Sequence, residues 1–158
     1  MKTISLFFLL ILCYSCSKDN EDDGGGGQQG DLSGFTFDGE TYVTDRGEYY
    51  DADDSGFLFF MNNDLNKVAS TSFVFSKDFQ MLNNGTYLFM ADKFDPNYNP
   101  DENFWVGSVS FQDGIPHPVI NGEITLEDQW DGTYKISYNV SIAEGNIVGD
   151  YSGKIIPR

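Results

Sequence analysis

The chain has 158 residues, with 25 acidic side chains against 9 basic ones, one histidine, two cysteines and 16% aromatic residues. A formal charge of −16 excludes electrostatically driven binding to nucleic acid or anionic lipid, because both draw their affinity from Lys and Arg set against phosphate. The aromatic content excludes a disordered chain, and the length holds one domain with appendages.

At the amino terminus, Met1-Lys2 gives a short positive start, and Ile4 to Leu12 is an apolar run broken only by Ser5. A bilayer crossing needs about 20 such residues, so the run reads as the core of a secretory signal. It ends in Cys13-Tyr14-Ser15-Cys16, where a small residue directly precedes the second cysteine as lipoprotein cleavage requires. Residues 1–15 are therefore expected to be a signal peptide and Cys16 the acylated start of the mature chain. The segment resembles a bacterial lipoprotein signal with its lipobox, with Cys13 and Tyr14 at the outer positions that usually carry aliphatic and small residues. Ser17-Lys18-Asp19-Asn20-Glu21-Asp22-Asp23 is similar to the surface-export signal of outer-membrane lipoproteins of the Bacteroidota. That resemblance implies a location, anchored by lipid in the outer membrane and facing outward. At about 0.8 kcal/mol per buried CH₂, several acyl chains hold a protein without any basic patch. If Cys13 leaves and Cys16 is acylated, the folded part has no thiol for a disulfide, a metal or nucleophilic catalysis.

Residues 16–30 form an acidic and glycine-rich tether that ends in Gly24-Gly25-Gly26-Gly27-Gln28-Gln29-Gly30, a composition with little to pack. Residues 31–158 are expected to be a single antiparallel β-domain. Phe35 to Phe37 and Thr41 to Val43 flank Asp38-Gly39, a strong type I′ hairpin signal. Phe57 to Met61 is apolar at every position, which predicts a strand covered on both sides. Val68 to Phe75, Thr86 to Met90 and Trp105 to Phe111 add three more strands, with Asn83-Asn84-Gly85 as a turn. In the last forty or so residues, Ile120 to Leu126, Tyr134 to Ile142 and Ile147 to Ile155 alternate apolar or glycine with polar positions, predicting a three-stranded meander. Tyr151-Ser152-Gly153 preceded by Gly149 also resembles the last strand of small β-domain lipoproteins from the same bacteria. The fold class is thus all-β, eight or nine strands in meander order, closing as a β-sandwich or a small lipocalin-like barrel.

No constellation in the sequence points to catalysis. His117, the only histidine, sits between Pro116 and Pro118 and reads as an exposed loop residue; no Gly-x-Ser-x-Gly elbow is present. Paired carboxylates for glycoside hydrolysis are expected by chance in so acidic a chain. Two loops have oxygen ligands at alternate positions, as calcium requires. Asp51, Asp53 and Ser55 precede Gly56, although Asn62 stands where an EF-hand has its glutamate. Asp95, Asn97, Asn99 and Asp101 form the second set. Trp130, Tyr98, Phe104, Tyr49 and Tyr50 lie in or beside predicted loops, where a ring can stack on a sugar or anchor a protein. Trp130, ahead of the Asp131-Gly132 turn, is the best placed for exposure, whereas Trp105 falls on the inward face with Gly107, Val109 and Phe111. These observations favour a non-catalytic surface lipoprotein that binds an extracellular glycan or protein through loops. The alternative is a lipocalin-like carrier of a small apolar ligand.

Overall fold

The computed structural model describes residues 33–62 and 68–158; the signal, Cys16 and the tether lie outside the described residues. In chain order the strands are β1 Gly34–Phe37, β2 Glu40–Val43, β3 Arg46–Ala52, β4 Ser55–Met61, β5 Ser70–Phe75, β6 Gly85–Phe89, β7 Asn103–Phe104, β8 Val106–Ser110, β9 Pro116–Pro118, β10 Asn121–Asp128, β11 Tyr134–Ile142, β12 Gly145–Gly153 and β13 Ile155–Pro157, with a 3₁₀ turn at Phe79–Met81. They form a seven-stranded sheet in the order β2-β1-β12-β11-β10-β6-β7 and a six-stranded sheet in the order β13-β3-β4-β5-β8-β9. The sheets pack face to face as a sandwich and do not close into a barrel. Each is mixed, because β6 pairs with β7 and β3 with β13 in parallel.

The carboxyl-terminal meander is present: β10, β11 and β12 pair in sequence, with Ile124 opposite Tyr138 and Tyr138 opposite Gly149. Its third strand ends earlier than the alternation predicts. Gly153 has φ +155°, and after Lys154 the chain crosses to the other sheet, so that Ile155 pairs with Gly47 of β3. The wider meander order is also corrected, since β1 joins β12 and β6 joins β10 across long stretches of sequence. Both are pairings that no local signal encodes.

Two hairpins turn through a pair of left-handed residues, the type I′ geometry whose twist matches that of the strands. Asp38 and Gly39 have φ 49° and 79°, as the sequence predicts. Asp53 and Asp54 have φ 50° and 61° and join β3 to β4, with Ala52 opposite Ser55. Tyr49, Tyr50 and Asp51 therefore belong to a strand, not to a loop.

Rings from both sheets fill the space between them. Phe60 of β4 stacks on Tyr151 of β12 at 4.8 Å and 24°, and Phe73 of β5 meets Tyr138 of β11 at 5.2 Å. Leu58, Val109, Ile124, Ile136 and Ile147 are fully buried around them. Phe104 is buried at 0% exposure, edge-on to Phe73 at 5.6 Å; its expected place in a loop-borne binding surface is corrected to the core. His117 lies in β9 rather than in an exposed loop, opposite Val109. Its Nδ1 is 3.0 Å from the Glu144 carboxylate and its ring is edge-on to Phe111 at 5.1 Å. The double cover expected for Phe57 to Met61 is single. Leu58 and Phe60 face inward, while Phe57, Phe59 and Met61 are half-buried on the outer face of the sheet.

Candidate functional site

At one end of the sandwich three connections meet: the tip of the β10–β11 hairpin, the 3₁₀ turn after β5, and Asn83-Asn84 before β6. Short polar contacts hold them together. The Asp128 N–H donates to Asn84 Oδ1 at 2.7 Å. The Phe79 N–H donates to Asp51 Oδ1 at 2.7 Å, fixing the 3₁₀ turn to the end of β3. Gly56 makes room for this approach, because a Cβ there would lie 2.5 Å from the Lys77 carbonyl and 2.6 Å from the Phe79 nitrogen. Asn83 is clamped on both sides by the Tyr87 phenol, which accepts from its N–H at 2.9 Å and donates to its carbonyl at 3.0 Å.

The connections enclose a groove of about 310 Å³. Phe79, Leu82, Leu126 and Tyr134 supply its apolar lining, and Gln80, Asn83, Asn84 and Asp128 its polar rim. Trp130 forms a wall and is 85% exposed. Its backbone is left-handed, φ +63°, a conformation a bulky side chain rarely adopts and one that concentrates at functional sites. Two Asx turns maintain the tip: the Trp130 N–H donates to Asp128 Oδ1 at 2.7 Å, and the Thr133 N–H and hydroxyl donate to Asp131 Oδ1 at 2.9 and 2.6 Å. Those Thr133 donors hold the Asp131 carboxyl below its ordinary value. Burial, then the nearby Asp128 and Tyr49, push the Tyr134 phenol up.

The expected ligand residues are only partly brought together. Tyr49 stands beside the groove, stacked on Phe79 at 5.0 Å, and its phenol accepts from Gln80 Nε2 at 2.6 Å. Tyr50, the next residue of β3, points to the opposite face and meets Phe57 at 5.8 Å. Tyr98 is half-buried as a strap: its hydroxyl accepts from Ser76 at 2.9 Å and donates to the Asn103 carbonyl at 3.1 Å. Phe79, Gln80, Leu82, Asn83, Asn84 and Tyr134 are not among the ligand residues expected from the sequence. Asn83-Asn84-Gly85 is legible as a turn only, and Tyr134 only as the start of a strand.

Among the described residues no three His, Cys, Asp or Glu side chains are grouped to hold an ion. Asp51 is engaged by Phe79, and Asp53 and Asp54 form the hairpin turn. Asp95 Oδ1 accepts from the Asn97 N–H at 2.8 Å and from Asn97 Nδ2 at 2.9 Å. Asn99 Oδ1 accepts from the Asp101 N–H at 3.0 Å, and Asp101 pairs with Lys77 and Asn83. Both sets stabilise turns, as Asp and Asn do where the chain must reverse. Compared with known proteins, the chain matches no family model, no curated protein and no solved structure.

Proposed function

We propose that this protein is a non-catalytic, lipid-anchored surface lipoprotein whose loop-end groove binds an extracellular glycan. The observation that carries the reading is Trp130, a large ring held almost fully in solvent by a left-handed turn at the wall of a groove that also contains rings and amides. A sugar needs those two chemistries together: a flat apolar face for its C–H surface, and donors and acceptors for its hydroxyls. Asp128 and the neighbouring Asp131 make the rim acidic, which favours a neutral glycan over an anionic one. The signal-like start, Cys16 and the tether support display at the outer membrane.

The carrier alternative finds less support, because the volume it needs between the sheets is occupied by Phe60, Phe73, Tyr138 and Tyr151. A glycan array probed with residues 31–158 tests the proposal. Binding of a neutral glycan that Trp130→Ala weakens by about thirtyfold, or roughly 2 kcal/mol, is the expected result for an aromatic anchor. Absence of any glycan signal, or a signal that Trp130→Ala leaves intact, would overturn it.

A further inference from the structure

The outer face of the six-stranded sheet has a composition that the loop-end groove does not explain. Arg46 and Arg158 are the only arginines in a chain of net charge −16, and both come to the same carboxylate. Arg46 Nη2 pairs with Glu48 Oε1, and Arg158 Nε lies 3.7 Å from Glu48 Oε2. The Glu48 side chain is only 5% exposed, whereas the arginines are 45% and 59% exposed. One buried anion thus orients two accessible guanidiniums.

Beside it runs a row of rings. Arg158 lies over Phe59 at 5.2 Å, Phe59 is parallel to Phe57 at 6.5 Å and 8°, and Phe57 meets Tyr50 at 5.8 Å. Val106 and Ile156 extend the apolar area, 39% and 44% exposed. No described element lies over this face, although β4 is apolar on both of its sides.

Aromatic residues and arginine with few lysines are the composition of a protein interface, and the hottest contacts in interfaces are aromatic or arginine. A contiguous apolar area of this kind on a folded domain marks an interaction site. Self-pairing of the face would set its guanidiniums against each other, so complementarity selects a different partner. We propose that this face docks a second protein whose contact strip is apolar and carries a carboxylate that seats against Arg46 and Arg158. Phe59 and Tyr50 meet the apolar strip, and the guanidiniums, already oriented by Glu48, accept the carboxylate without further ordering.

The probe is an acetylated and amidated hexapeptide that alternates leucine with glutamate, compared by isothermal titration with its leucine–glutamine counterpart. The glutamate peptide is expected to bind about tenfold more tightly than the glutamine peptide, and the double variant Arg46→Gln, Arg158→Gln to lose that preference. Since that variant leaves Glu48 buried without a partner, a second one, Tyr50→Ser with Val106→Ser, keeps the ion pairs and is expected to weaken the glutamate peptide about tenfold. Trp130→Ala is expected to bind both peptides as the wild type does, which separates this surface from the glycan groove. Equal affinity for the two peptides, or no saturable binding below about 1 mM, would overturn the proposal. So would a dimer in sedimentation that Tyr50→Ser with Val106→Ser dissolves, or a sulfated glycan fragment that binds this face in place of the peptide.

Discussion

Trp130 and Phe104 show how differently one residue class can be used. Both are aromatic and both border a predicted loop, yet one is 85% exposed and the other 0%. What separates them is the partner strand. Phe104 lies in a two-residue strand that pairs in parallel with Phe89 of β6 and is thereby turned into the core, while Trp130 sits on a hairpin tip with nothing to pair with. The left-handed backbone of Trp130 costs about 1–2 kcal/mol relative to an ordinary conformation, and a glycine there would be free of that strain but would lose more entropy on folding. Trp130→Gly is therefore expected to raise the stability of residues 31–158 by up to about 1 kcal/mol in urea denaturation, while weakening glycan binding as Trp130→Ala does. A less stable variant would show that the ring contributes to packing rather than to recognition. Phe94 is exposed almost as fully, at 84%, but Lys93 stands between it and Trp105, 5.4 and 4.6 Å from the two rings.

Between the strands, large rings are accommodated by glycine. Tyr138 lies across Gly149 of the neighbouring β12, where any side chain would overlap its ring, and Tyr151 reaches to Gly47 of the opposite sheet, where a Cβ would come within 2.7 Å of it. These pairings place several phenols in or against the core. Burial is the leading cause of the upward shift for Tyr138, Tyr87, Tyr134 and Tyr151 alike. In Tyr138 a hydrogen bond from the Thr71 hydroxyl, 3.3 Å away, opposes it in part. The folded state therefore holds these protons more tightly than the unfolded chain does. Their contribution to stability is complete below about pH 10, the ordinary phenol value, and is lost as pH rises beyond it. Denaturation midpoints are expected to fall as pH rises above about 10, with a shallower fall in Tyr138→Phe. An equally steep fall in that variant would assign the alkaline loss to the other tyrosines. The alternation from Tyr134 to Ile142 made β11 legible in the sequence. The crossing of Gly47 and Tyr151 was not, because the two belong to different sheets and lie far apart along the chain.

For the whole molecule, the anchor reading makes a separate prediction. Cys16→Ala, expressed in a bacterium that processes lipoproteins, is expected to shift the protein from the membrane fraction to the soluble one, since the chain's charge supplies no other hold on an anionic surface. Unchanged partitioning would remove the anchor from the proposed function. The sequence by itself determined the all-β class, the I′ turn at Asp38-Gly39 and the carboxyl-terminal meander, because side-chain alternation and positive-φ turns are set by sterics within a few residues. Tertiary structure alone decided for a sandwich over a barrel, sent Ile155 to the second sheet, and buried Phe104. It also joined residues 79–84 to residues 126–134 in one groove and drew Arg46 and Arg158 onto Glu48. Each of those outcomes depends on which distant strands pair and what they cover, and long-range pairing leaves no period in the local sequence.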